Sequence, residues 1–146
     1  MQVYVIGSRT GRSYELLSKL VKCHYLSNLE RFNWAEGDLL VSMGYMKKIP
    51  PSVYKNVPTI NVHPGWTYPG KHPQLRALAN FSREWTDVTL HRVESDTYDV
   101  GEVLARQEVK ITEADRDDPN TFFERTRRIG VYLTAAWLIG QGVEMR

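Results

Sequence analysis

Thr59-Ile60-Asn61-Val62-His63-Pro64 is the stretch on which the fold turns. It reads as a buried strand stopped by Pro64. Side chains alternate along a strand, so Ile60 and Val62 take one face and Asn61 and His63 take the other. Two hydrogen-bonding groups then point together at the carboxyl end of an otherwise apolar strand. Either they satisfy neighbouring backbone or they mark a site, because such local conflicts often sit where function does. Open α/β sheets bind ligands at that strand edge.

Towards the N-terminus the pattern repeats. Gln2 to Ile6 opens the chain as a strand and ends in a small, polar, basic turn from Gly7 to Ser13. Ser13 suits an N-cap, and Leu16, Leu17, Leu20 and Val21 then give one apolar helix face. Residues 24–36 allow either a short strand or a helical turn. Leu39 to Met43 is a further strand, left through Gly44, and Pro50-Pro51 starts a short helical segment through Tyr54.

Towards the C-terminus, Pro64 to Pro73 is a loop with three prolines and two glycines. Leu75, Leu78, Ala79 and Phe81 fit a short helix. Val88 to Glu94 and Glu102 to Ile111 alternate apolar and polar residues and read as an antiparallel pair. Phe122, Phe123, Ile129, Leu133, Trp137 and Leu138 then mark a long terminal helix. Strands alternating with helices predict an open, mostly parallel α/β sheet with an antiparallel C-terminal portion and helices on both faces.

A length of 146 residues predicts one domain, spanning 1–146, with one core. The net charge of +2 argues for neither a nucleic-acid nor a membrane partner. Cys23 is the single cysteine, so no internal disulfide forms. It reads as a small buried apolar residue. No apolar run reaches the ~20 residues of a membrane span, and no signal-peptide pattern opens the chain. A soluble, cytoplasmic protein is expected. A homodimer stays open, with Trp34, Trp66, Trp85 and Trp137 serving either the core or an interface.

Asn61-Val62-His63-Pro64, followed by Tyr68-Pro69-Gly70-Lys71-His72, resembles the signature of the folate-dependent formyltransferases. That group includes glycinamide ribonucleotide, methionyl-tRNA and sugar N-formyltransferases. Leu40 to Met46 is similar to the strand and turn before that signature, and Arg76-Ala77-Leu78 to the helix after it. Thr89 to Val93, Asp99 to Leu104 and Gln107 are similar to the strand, Asp-containing loop and return strand. The order and gaps agree across roughly residues 38–112.

The resemblance implies a Rossmann-like fold, 10-formyltetrahydrofolate as co-substrate, a small amine acceptor and no metal. It implies a catalytic trio of Asn61, His63 and Asp99. Attack by an amine on the formyl carbon makes an oxyanion; an Asn61 amide and a protonated His63 suit it as donors. Losing one such donor costs about 100–1,000-fold in rate. Asp99 would favour the imidazolium and position a proton-carrying water. Asp96 competes with Asp99 as the carboxylate of that loop.

The donor is expected against Met43, Gly44, Tyr45, Met46, Ile49, Tyr98 and Asp99. The acceptor is expected against Arg9, Gly11, Arg12, Ser13, Pro64, Gly65 and His72. The turn at Gly7–Ser13 is similar to the place where the purine-pathway member holds a substrate phosphate; it reads equally well as an ordinary strand–helix turn. It is not a P-loop, because the Gly-Lys-Ser/Thr ending is absent. His91, mid-strand, reads as a packing residue. A zinc site from His63, His72 and Asp99 fits no ligand spacing.

The resemblance weakens in the N-terminal half: only 60 residues precede Asn61, and one strand–helix unit or more reads as missing or shrunken into 24–36. A folate- or nucleotide-binding module without catalysis is therefore the competing reading. Transfer of another one-carbon or carbamoyl group is a third.

Overall fold

The computed structural model describes residues 1–7, 12–30, 32–45, 47–65, 72–95 and 101–146. Its centre is a six-stranded sheet in the order β2-β1-β3-β4-β5-β6. β1 (Val3–Gly7), β2 (His24–Leu26), β3 (Leu39–Met43) and β4 (Thr59–His63) run parallel. β5 (Trp85–Arg92) and β6 (Val103–Lys110) continue the sheet antiparallel. The mostly parallel sheet with an antiparallel C-terminal portion is as expected from the sequence.

The two faces follow from strand alternation. Val3 and Val5 of β1, Leu39 and Val41 of β3, and Ile60 of β4 pack with Leu17 of α1 (Arg12–Ser18) and Val131, Ala135 and Leu138 of α5 (Pro119–Gly140). α3 (Pro73–Ala79) joins that face, where Ala77 and Leu78 meet Val88, Val109 and Phe122. On the opposite face, Ile6 and Leu40 pack with Val53 of α2 (Pro51–Tyr54) and with Ile49 and Val57.

α5 lies close on the sheet because Gly130 has no side chain. A Cβ there would come within 2.7 Å of Val62 Cγ1. The remaining helix, α4 (Glu113–Asp117), was not evident from apolar spacing and is capped by Thr112.

The chain leaves β1 for β2 on one side and returns to β3 on the other. Helices from such a reversal lie on opposite faces, and a crevice opens at the carboxyl ends of the two strands. Here those ends are Gly7 and Met43, level with Val62 in β4.

The ambiguous segment 24–36 resolves into the three-residue edge strand β2 followed by irregular chain. Tyr4, Phe32 and Trp34 cluster there, with Phe32 and Trp34 ring centroids 4.3 Å apart. Ser13 is not the N-cap expected of it: α1 already begins at Arg12. β5 starts at Trp85, three residues before the expected Val88. Cys23 is buried, and desolvation pushes its thiol up to about 11, so it is an unreactive core residue.

Candidate active site

Asn61 and His63 lie on the face of β4 away from α5, as the alternation requires. Val62 between them packs against Gly130. Sheet register sets their neighbours. Ser42 of β3, Asn61 and His91 of β5 form one row; His63 stands opposite Thr89 in the next. His63 is 4% exposed and His91 2%, so both imidazoles sit on the floor rather than the rim.

His91 is buried, as a packing residue would be, and the sequence did not show what it meets. It was expected to serve packing, and its ring also meets Asn61. Asn61 Nδ2 lies 3.2 Å from His91 Nε2, and His91 Nδ1 lies 3.2 Å from the Arg92 carbonyl oxygen. One protonation pattern satisfies both contacts: Asn61 donates to Nε2, and neutral His91 donates from Nδ1 to Arg92. That orients the Asn61 amide. The rings of His63 and His91 stand edge to face, with centroids 6.3 Å apart. The Thr89 hydroxyl donates to the His63 carbonyl oxygen at 3.5 Å, on the strand that carries His91. The only signal available beforehand was the spacing Thr89-x-His91, which puts both residues on one face of a strand.

The expected donor turn divides. Gly44 turns the chain after β3 with φ 74. Ile49 is buried and Tyr45 half-buried against it, on the Asn61 face. Burial first, and the Glu30 carboxylate second, hold the Tyr45 phenol above its ordinary pKa. The Met43 side chain does not join them. Level with Val62 in the register, it belongs to the core under α5.

On the acceptor side, Arg12 is exposed as the first residue of α1, and Ser13 is half-buried behind it. Pro64 and buried Gly65 continue directly from His63. Gly65 has φ 153 and presses on Pro73, where a Cβ would stand 2.9 Å from the proline Cβ. A side chain there would push Gly65 and Pro73 apart. His72 is exposed and left-handed (φ 57) at the N-cap of α3. Arg9, Gly11, Met46, Asp96, Tyr98 and Asp99 lie outside the described residues.

Chemically, the floor offers an oriented amide and a buried imidazole, side by side at a strand end and beneath a topological crevice. Two donors so placed suit an oxygen that becomes negative during reaction.

Comparison with known proteins bears on the family and the fold. A family model described as formyl transferase matches residues 23–135. Phosphoribosylglycinamide formyltransferase from Bacillus halodurans has a similar structure, with TM-score 0.73 and 18% identity over 93% of this chain and 92% of that one. The formyltransferase PseJ from Anoxybacillus kamchatkensis, solved with UDP-4,6-dideoxy-4-formamido-L-AltNAc and tetrahydrofolate, is similar with TM-score 0.70 and 21% identity. The match spans 100% of this chain and 80% of that one. HypX from Aquifex aeolicus is similar over 97% of this chain but only 28% of its own, with TM-score 0.65 and 22% identity. No curated protein matches by sequence.

Proposed function

The chain belongs to the formyl transferase family, and from that premise we propose that it moves a formyl group from 10-formyltetrahydrofolate to the amine of a small acceptor. The observation that carries the reading is the Asn61–His91 contact beside buried His63 at the end of β4. An amide held in one orientation costs no reorganisation when charge develops.

The residues divide the work as follows. The acceptor nitrogen bonds to the formyl carbon, and the carbonyl oxygen takes up negative charge. Asn61 Nδ2 and the protonated His63 ring donate to that oxygen. The bond to the folate nitrogen then breaks, and the acceptor's proton travels to that nitrogen. Asp99 is the carboxylate we assign to this transfer, through a water. The co-substrate supplies the activated one-carbon unit. Ile49 and Tyr45 give its ring system an apolar wall on the Asn61 face, of the kind small-molecule pockets use. Arg12, Ser13, Pro64, Gly65 and His72 are assigned to the acceptor.

The test is direct. Purified protein is incubated with 10-formyltetrahydrofolate and a panel of amines, and release of tetrahydrofolate is followed by absorbance. Turnover that disappears in Asn61→Ala and His63→Ala supports the reading. Absence of turnover with every amine, or turnover indifferent to both substitutions, sinks it.

A further inference from the structure

β6 ends the sheet on its antiparallel side. Among the described residues it pairs only with β5, and its eight residues leave a longer open edge than the three of β2. An open row of N–H and C=O groups is a template for a further strand. In an antiparallel strand these groups point alternately to one side and the other. Ile111 donates its N–H to the Glu84 carbonyl oxygen at 2.7 Å, continuing the register that sets Trp85 opposite Lys110. Ile111, Val109 and Gln107 therefore turn their backbone polar groups towards β5. Arg106, Glu108 and Lys110 turn theirs to the open edge.

Both ends of that row are restricted. Arg125 Nη2 donates to the Lys110 carbonyl oxygen at 2.9 Å, which closes the edge at its far end. At the near end the register slips between Leu90 and His91, with Leu104 as the extra residue. Arg106 and Glu108 remain as the regular, open stretch. The Glu108 carbonyl oxygen is met only by the side chain of its neighbour, Gln107 Nε2 at 3.1 Å, in an exposed position where another donor can replace it.

The side chains of this stretch are short of positive charge within one chain. Arg106 and Glu108 are exposed, and the register puts both on the Asn61 face. Glu108 stands opposite the buried Asp87, carboxylate against carboxylate, an unfavourable cross-strand pair. Arg106 serves both acids: its Nε lies 2.6 Å from Asp87 Oδ2, and its Nη2 lies 3.8 Å from Glu108 Oε1.

We propose that β6 pairs with β6 of a second copy of this chain, antiparallel, about a two-fold axis at Gln107. Such an interface is self-complementary. Arg106 of each copy then stands opposite Glu108 of the other, so each Glu108 gains a guanidinium on its open side. The backbone N–H and C=O groups of the same two residues bond across the axis. Neighbouring registers are worse. An axis at Arg106 or at Glu108 sets like charges opposite one another. An axis at Val109 needs the Lys110 carbonyl that Arg125 holds, and one at Ala105 needs the irregular Leu104. With the axis at Gln107 the sheet runs unbroken through both copies.

Sedimentation of the full chain over a range of concentrations reads the association, and a monomer–dimer equilibrium is expected. Glu108→Arg sets like charges across the axis and should raise the dimer Kd at least about tenfold. Glu108→Pro removes an N–H that faces the open edge, spares the ladder to β5, and should leave monomer. Gln107→Cys tests the register. Residues opposite one another in a non-hydrogen-bonded pair have Cα atoms about 4.5 Å apart, within disulfide reach. Mild oxidation should therefore link two copies through that position and not through Lys55→Cys, an exposed site elsewhere; Cys23 is buried and does not compete. The cysteine variant carries the test if Glu108→Pro does not fold. Wild-type chain that stays monomeric at about 1 mM, a dimer Kd equal in wild type and Glu108→Arg, or a Gln107→Cys chain that links no better than Lys55→Cys, overturns the proposal.

Discussion

Asn61 has value in the site because it is held. An amide that rotates freely would average its donor direction; His91 Nε2 at 3.2 Å prevents that. Asn61→Ala removes the donor, and kcat should fall about 100–1,000-fold, with tetrahydrofolate affinity little changed. His91→Phe leaves Asn61 in place but unoriented. A steady-state assay should show kcat lower by on the order of 10–100-fold at nearly constant KM, because a misdirected group loses that much. His91→Gln, which can still accept, should recover part of the loss. Equal kcat in wild type and His91→Phe would show that the contact does not matter to turnover. That Asn61 and His63 share a face was legible, since a period of two within five residues needs no tertiary information. The partner of Asn61 was not: His91 lies 30 residues away and meets it only through sheet register.

Among the elements, α5 shows how packing sets distance. Gly130→Val would drive a branched side chain into Val62 and Val88. Overpacking of this kind costs about 1–3 kcal/mol, so the melting temperature should fall, and the shifted helix should also lower turnover through β4. α4 depends on charge instead. Thr112 and Asp115 form a capping box, and Arg125 of α5 grips the Asp115 carboxylate at 2.7 and 2.9 Å. The Arg125 hydrogen bonds, foremost, hold the Asp115 pKa at about 2 against an ordinary 3.8.

The sign follows from that direction. A carboxylate depressed on folding adds stability that is full above about pH 5 and is lost as pH falls towards 2, here up to about 2 kcal/mol. Asp115→Ala should therefore melt well below wild type at pH 7, and the gap should narrow on acidification. A gap independent of pH would assign the effect to packing. The helix itself had a sequence signal, Thr112 followed three residues later by Asp115. Five residues hold too little apolar periodicity to show it otherwise.

At the scale of the molecule, the proposed folate wall of Ile49 and Tyr45 lies on the Asn61 face of the sheet, near the crevice at the ends of β1 and β3. A ligand that binds the folded state alone raises its stability; at 100 times Kd the gain is about 2.7 kcal/mol. Tetrahydrofolate at that ratio should raise the melting temperature by about 5–10 °C. No shift with tetrahydrofolate would argue against the donor wall.

The sequence by itself determined the local pieces: the parallel strands, the alternating C-terminal pair, the long terminal helix, and Asn61 with His63 on one face. Each depends on side-chain period over a few residues, which a chain carries without folding. Only the tertiary structure decided the order β2-β1-β3-β4-β5-β6, the edge place of β2, the turning of Met43 into the core and the His91–Asn61 contact. Those depend on register and on which helix covers which face, and both are set by burying apolar surface between residues far apart in the chain.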